Sequence, residues 1–131
     1  MNEPTPILSV RQPFAHLIVN GIKDVENRSW ITHYTGPLQI HASKNLDYFR
    51  EDCENIKLDF GIEIPIDEIV VGRIIGQVYL SECRPYTTLE GDDFSPQWWN
   101  QYDHGWMLKD AEPWAPQMQI ECRGKPGLFY L

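Results

Sequence analysis

The segment from Gly21 to Trp30 concentrates charged and polar side chains at a spacing suited to chemistry. It reads Gly-Ile-Lys-Asp-Val-Glu-Asn-Arg-Ser-Trp, so that Lys23, Glu26 and Arg28 fall within six residues. Alternate side chains of a strand share a face, which sends Glu26 and Arg28 to one side, and the long stem of Lys23 must curl to join them. A cation, a carboxylate and a planar guanidinium held together can bind a phosphate or the hydrogen-bonding edge of a base.

A surface ion-pair cluster beside a turn explains the same spacing without any ligand. Exposed pairs of this kind contribute about 0–1 kcal/mol and have no further function. The spacing by itself leaves both interpretations open.

Several segments of the chain resemble one family of small domains. Gly21–Arg28 matches the G-x-K-x-x-E-x-R signature of the ASCH domain, a member of the PUA-like superfamily. Leu8–Ala15 resembles the S-[IV]-R-Q-P-[WF]-A opening of one branch of that family, and Gly36–Lys44 resembles its G-P-L-x-I-H-A-S-K segment. Gly72–Val78 and Gly124–Phe129 resemble its later strands. Five matches in order, covering nearly the whole chain, identify it as a member of this family.

The resemblance implies a fold and a class of ligand. We expect residues 1–131 to form a single ASCH domain of the α+β class. The expected architecture is a small PUA-like mixed β-barrel of about five to six strands with two or three flanking helices. In the family the signature segment borders a cleft, so RNA, a nucleotide or a modified nucleoside is the expected partner.

Composition agrees with one folded domain that needs no metal or cofactor. A chain of 131 residues is long enough for one core and too short for two ordinary domains. It has no apolar run near the ~18 residues of a membrane span, and its start lacks the features of a secretory signal. Three cysteines without a C-x-x-C pattern argue for a reducing cytoplasm and against zinc. We therefore expect a cytoplasmic protein with no cofactor, no metal and no membrane partner.

The charge is acidic overall but unevenly distributed. The formal net charge is −8, whereas a general nucleic-acid binder is usually basic. Residues 1–50 hold five Lys or Arg against four acids, so the other 81 residues carry −9. This pattern favours a ligand gripped locally, such as a nucleotide or a short single strand, and disfavours long duplex DNA.

Hydrophobic periodicity and punctuating residues predict short strands joined by turns, with helices packed outside. A helix is predicted between Pro13 and Gly21, and a second one from Lys44 to about Asn55. Residues 61–68 are predicted to be a loop or lid, and 85–103 to be irregular with one helical turn at 96–100. Predicted strands cover residues 7–10, 25–30, 38–41, 69–80, 106–108 and 128–131. Gly72 and Gly76 in the fourth of these suggest a bend or bulge.

These elements place ten candidate ligand-binding residues: Arg11, Gln12, Lys23, Glu26, Arg28, Trp30, His41, Ser43, Lys44 and Trp106. Arg11 either clamps a phosphate or pairs with Glu26 as a structural brace. His41 is either a ligand-binding residue or a hydrogen-bonded core imidazole. Tryptophans stack on bases at ~1–3 kcal/mol per base, although most in a small barrel serve as packing.

Catalysis is the alternative that the family raises. Some ASCH proteins are amidohydrolases acting on acylated cytidine, in which the motif lysine activates a threonine three residues later. Lys23 matches that lysine, but the threonine position is Glu26. Glu26 and Lys23 are therefore the candidate catalytic pair of a metal-independent hydrolase, with Glu26 as general base on water and an acylated nucleoside or single-stranded RNA as substrate. A protein-interaction module with a purely structural motif is the third possibility.

Overall fold

The computed structural model describes residues 3–85, 98 and 104–131. Two α-helices lie in this part of the chain, α1 (Phe14–Val19) and α2 (Phe49–Phe60), together with short 3-10 helices at Ile66–Glu68 and Pro116–Met118. The strands are β1 (Ile7–Val10), β2 (Val25–Arg28), β3 (Gly36–Ala42), β4 (Arg73–Pro85), β5 (His104–Pro113), β6 (Ile120–Glu121) and β7 (Leu128–Phe129).

The strands form one curled mixed sheet that makes a half-barrel. Its order is β2-β5-β4-β3-β1-β7, and β6 pairs with β4 beside this path. The pair β1–β3 is parallel and the other pairs are antiparallel. The α+β class, the small mixed barrel and the flanking helices are confirmed, with seven strands described where five to six were expected.

The parallel pair positions residues from distant parts of the sequence side by side. Antiparallel neighbours can be joined by a tight turn, but parallel strands need a crossover connection. Here the connection between β1 and β3 contains α1 and β2. The register places Ser9 opposite His41 and Val10 opposite Ala42. The end of β1 therefore lies beside the end of β3.

A bulge bends β4 where the sequence predicts one. Gly76 pairs with Ile40, whereas Ile74 already pairs with His41, so Ile75 is the extra residue on β4. A Cβ at position 76 would lie 2.5 Å from the carbonyl oxygen of Glu112 and 2.8 Å from Val19. Glycine at this position lets β5 and α1 approach the bent strand closely.

The main core lies between the curled sheet and α1, which packs against β3, β4 and β5. Its members are apolar side chains that alternate along the strands, since successive residues face opposite sides of a sheet. The largest of them is Trp106, which is completely buried. Other buried members are Leu8, Ile18, Leu38, Ile40, Val78, Leu80 and Leu108.

The second helix is displaced from its predicted span. It begins at Phe49 instead of Lys44, because two side chains hold the preceding residues in turns. The Ser43 hydroxyl accepts from the Asn45 amide at 3.1 Å, and the Asn45 side chain accepts from the Asp47 amide at 3.0 Å. Such bonds compete with helix formation.

Other predicted boundaries also shift. Helix α2 ends at Phe60, before Gly61 at φ 69°, and β4 begins after Gly72 at φ 73°. The loop predicted over 61–68 contains a 3-10 turn. The helical turn predicted at 96–100 lies outside the described residues apart from Trp98.

Within residues 3–85, 98 and 104–131, no helix combines the length and the apolar character that crossing a membrane requires. The same residues hold no group of three His, Cys, Asp or Glu side chains arranged for a metal ion. Cys53, Cys83 and Cys122 all lie in this part of the chain and are unpaired.

We predict that Gly76→Ala destabilises the protein more than Gly61→Ala, although both add one methyl group. Position 76 has backbone 2.5 Å from the new atom, which should cost about 2–3 kcal/mol. At position 61 the new methyl group would meet no neighbouring atom. The left-handed backbone there should still make alanine less favourable than glycine by about 1 kcal/mol. Urea denaturation of both variants measures the difference, and equal losses would contradict the role given to Gly76.

Candidate ligand-binding site

The end of α1 sets the position of the signature segment. The helix stops before Gly21, whose φ of 76° lies in the left-handed region that favours glycine. The amides of Ile22 and Lys23 then both donate to the carbonyl oxygen of Leu17, at 2.9 Å and 3.1 Å. This tight turn satisfies a helix-end carbonyl and leads the chain directly into β2.

Three charged side chains of the segment form one connected network. Arg28 Nε donates to Glu26 Oε2 at 2.8 Å, and Lys23 Nζ contacts Glu26 Oε1 at 3.3 Å. Lys23 also donates to the carbonyl oxygen of Val25. The two strand residues share a face and the lysine curls to join them, as alternation predicts.

The network is buried, which distinguishes it from a surface ion pair. Lys23 is 5% exposed and Glu26 is 7% exposed. Burial lowers the pKa of Lys23 below its usual value, and the neighbouring Glu26 carboxylate opposes part of that effect. A buried charge must be paired, so each member of the network depends on the others.

Arg28 is the member of the network that reaches the surface. Its Nη2 donates to the carbonyl oxygen of Ser9 at 2.8 Å, which links β2 to β1. Its side chain remains 24% exposed. It lines a groove of about 660 Å³, the first groove, whose walls include Ser9, Arg11, Phe14, Glu26, Arg28 and Trp30.

Arg11 is braced by a residue other than the one considered from the sequence. Its Nε pairs with Asp52 of α2 at 3.2 Å, not with Glu26. Its guanidinium lies over the Phe14 ring, 4.9 Å from the centroid. The side chain is 47% exposed and stays on the wall of the first groove.

The two tryptophans considered for the cleft are placed differently. Trp30 lines the first groove. Trp106 is completely buried and is not on its wall, because alternation along β5 turns it into the core. The rings meet edge to face with centroids 4.8 Å apart, and Trp106 Nε1 donates to the Trp30 carbonyl oxygen at 3.4 Å. Trp106 therefore supports Trp30 from behind.

Gln12 is a buried structural residue in this fold, although the sequence made it a ligand candidate. It is 1% exposed. Its side-chain nitrogen donates to the carbonyl oxygen of Val70 at 3.0 Å, and its oxygen accepts from the His16 amide at 2.9 Å. The side chain ties α1 to the segment before β4 and is already engaged at both ends.

His41 is also buried, at 2% exposure, and it has two partners. Its Nε2 faces the carbonyl oxygen of Cys122 at 2.9 Å, so that nitrogen carries the proton. Nδ1 then accepts from the Ser9 hydroxyl at 2.9 Å. Sequence reasoning missed this pair because the parallel register of β1 and β3 creates it.

A second groove of about 820 Å³ adjoins the first. Its walls include His41, Lys44, Arg73, Glu121, Arg123 and Lys125. Ser9, Ser43 and Asn45 line both grooves, so the two lie side by side. Of the sequence candidates, His41 and Lys44 lie at the second groove, and Ser43 lies where the grooves join.

We predict that Glu26→Gln lowers the free energy of unfolding by about 3 kcal/mol, because it leaves two cations without their carboxylate in a buried site. The matched control is Glu63→Gln. Glu63 contacts Lys57 at 3.4 Å, with side chains 81% and 65% exposed, and should change stability by less than about 1 kcal/mol. Urea denaturation at neutral pH measures both, and similar small losses would show that the Glu26 network is not structurally important.

Comparison with known proteins identifies the family of the chain. Residues 8–116 match the model of the ASCH domain family. Human activating signal cointegrator 1 is 58% identical over 81 residues, covering 58% of this chain and 14% of the human protein. The mouse protein of that name is 30% identical over 129 residues, covering 95% of this chain and 22% of the mouse protein. The chain thus spans less than a quarter of the length of these curated relatives.

Solved structures show the same fold. The crystal structure of ASCH from Zymomonas mobilis superposes with a TM-score of 0.59 at 18% identity, over 99% of this chain and 89% of that one. A mutant of that protein gives a TM-score of 0.59 at 19% identity, over 98% and 91% of the two chains. With a family match over most of its length, the chain belongs to the ASCH domain family.

Proposed function

We propose that this chain binds a nucleotide of single-stranded RNA, or a free nucleotide or modified nucleoside, in the first groove. The observation that carries the proposal is the buried Lys23–Glu26–Arg28 network, which fixes a partly exposed guanidinium on the groove wall. A guanidinium held in one orientation binds planar acceptors and phosphates in a defined geometry. Holding it before the ligand arrives reduces the entropy lost on binding.

Each wall residue has a role in this proposal. Arg28 donates to a phosphate or to the acceptor edge of a base, and Arg11 supplies a second, more mobile cation. Glu26 acts as the brace that orients Arg28 and favours the charged form of Lys23. Trp30 packs against the base, because an aromatic face stacks on any base without reading its identity.

The size and charge of the groove favour a local ligand. A volume of about 660 Å³ is within the usual range for small-molecule sites. The formal net charge of −8 repels a long polyanion that extends beyond the grooves. Long duplex DNA is therefore not proposed as a partner. The proposed location is the cytoplasm, whose reducing conditions are consistent with three unpaired cysteines.

We predict that Arg28→Gln weakens binding of a fluorescein-labelled hexauridine about tenfold, which is the value of one charge-assisted contact. Fluorescence anisotropy measures the affinity. For the wild type, the slope of log affinity against log salt should be shallow, roughly one to three. Lys57→Gln is the control. This substitution also removes one positive charge, but from α2, and Lys57 lines neither groove.

Two outcomes would contradict the proposal. An unchanged affinity of Arg28→Gln for hexauridine would show that the Arg28 guanidinium does not contact the ligand. Equal weakening by Lys57→Gln would show that only the overall charge of the protein matters. Folding of each variant is checked by its urea midpoint, so that loss of binding is not loss of structure.

Hydrolysis is the second candidate function, and the lowered pKa of the buried Lys23 is the observation that favours testing it. We nevertheless expect no turnover of N4-acetylcytidine by the wild type. Both oxygens of Glu26 are held by Lys23 and Arg28, and a carboxylate stands where the related amidohydrolases have threonine. Chromatography of the nucleoside with chelator present measures the product.

Glu26→Thr and Lys23→Met complete that experiment. Turnover gained in Glu26→Thr would show that only the nucleophile is missing from this site. Turnover by the wild type that Lys23→Met abolishes would contradict the expectation and make the protein an amidohydrolase.

A further inference from the structure

We infer that the second groove binds the phosphodiester backbone of a single strand whose nucleotide occupies the first groove. The ligand class is then a short oligonucleotide and not a free nucleoside. This inference rests on the proposed function of the first groove. It concerns residues of β3, β4 and the segment between β6 and β7 that the signature motif does not include.

The first support is proximity. The grooves share Ser9, Ser43 and Asn45, so they adjoin and one strand could contact both. Each groove, at about 660 and 820 Å³, is large enough for a whole small ligand. Together they hold more than one nucleotide.

The second support is charge. Among the described residues, seven of eleven Lys and Arg line one of the two grooves, against two of fifteen Asp and Glu. Four of these cations belong to the second groove: Lys44, Arg73, Arg123 and Lys125. The described walls of the two grooves therefore carry seven cations and two acids, on a chain whose formal net charge is −8. A groove lined by one sign of charge focuses its field on a ligand of the opposite sign.

The third support is the way the groove is built. The stem of Lys44 lies directly against Gly72, where a Cβ would be 2.6 Å from its Cε. Gly124 covers the Ser9–His41 pair, where a Cβ would be 2.9 Å from the Ser9 hydroxyl oxygen. The two glycines thus allow the Lys44 stem and the Ser9–His41 pair to pack directly against the backbone of the wall. Lys44, Arg123 and Lys125 are exposed, whereas Arg73 pairs with Glu121 at 3.0 Å.

The pattern of cations favours backbone recognition over base recognition. Lys44 and Lys125 carry flexible ammonium groups, which act as point charges and suit phosphates in many orientations. The aromatic side chains Phe14 and Trp30 line the first groove and not the second. The base is therefore held in the first groove, while its neighbours along the strand are held by their phosphates in the second.

The test combines two ligands with three proteins. The ligands are labelled hexauridine, followed by fluorescence anisotropy, and uridine monophosphate, followed by NMR titration. The proteins are the wild type, the double variant Arg123→Gln/Lys125→Gln, and the double variant Lys57→Gln/Lys109→Gln. The last removes the same charge from outside both grooves. All four positions are exposed, so each variant is expected to fold.

We expect Arg123→Gln/Lys125→Gln to weaken hexauridine binding about fivefold to tenfold and to lower the salt slope by about one. Its affinity for uridine monophosphate should stay at the wild-type value, and the control variant should match the wild type for both ligands. A deoxyribonucleotide hexamer should lose affinity by the same factor, because its phosphates are the same.

Three results would overturn the inference. Unchanged hexauridine affinity in Arg123→Gln/Lys125→Gln, with normal wild-type binding, would reject the second groove and leave the proposed function standing. An acidic peptide of equal charge that displaces hexauridine equally well would reject a nucleic-acid strand as the occupant. A wild type that binds neither hexauridine nor uridine monophosphate would reject the proposed function together with this inference.

Discussion

The burial of one carboxylate between two cations is the constraint on which the site depends. Glu26 is 7% exposed, so its charge is tolerated only while Lys23 and Arg28 remain beside it. The network therefore depends on two local structures. The turn after α1 brings Lys23 to Glu26, and the extended backbone of β2 places Arg28 on the same face as Glu26. The network thereby holds one partly exposed guanidinium, that of Arg28, in a fixed position.

Ser9 connects this support to the rest of the sheet. Its carbonyl oxygen accepts from Arg28, and its hydroxyl donates to His41, which in turn donates to the carbonyl oxygen of Cys122. A single residue of β1 therefore joins β2, β3 and the segment after β6. Because these bonds are made by buried or half-buried groups, the floor shared by the two grooves is held in one arrangement.

Local rules were sufficient for the features that depend on neighbouring residues. Alternation placed Glu26 and Arg28 together, glycine ended α1, and the bulge at Ile75 lies beside a predicted bend. Features that depend on distant pairing could not be predicted. The contact of Arg11 with Asp52 needs the position of α2, and the burial of Trp106 needs the register of β5. The Ser9–His41 pair likewise follows from a parallel register that one sequence does not reveal.

Charge distribution reconciles the proposed anion binding with an acidic domain. Cations concentrated in two adjoining grooves attract a phosphate that lies within them, and Coulomb attraction decays within about 10 Å at moderate salt. Beyond that distance the acidic remainder of the surface dominates and repels additional phosphates. Affinity for a strand should therefore rise with length only until the grooves are filled. In the proposed function, the same acidic surface therefore restricts binding to a short or locally accessible strand.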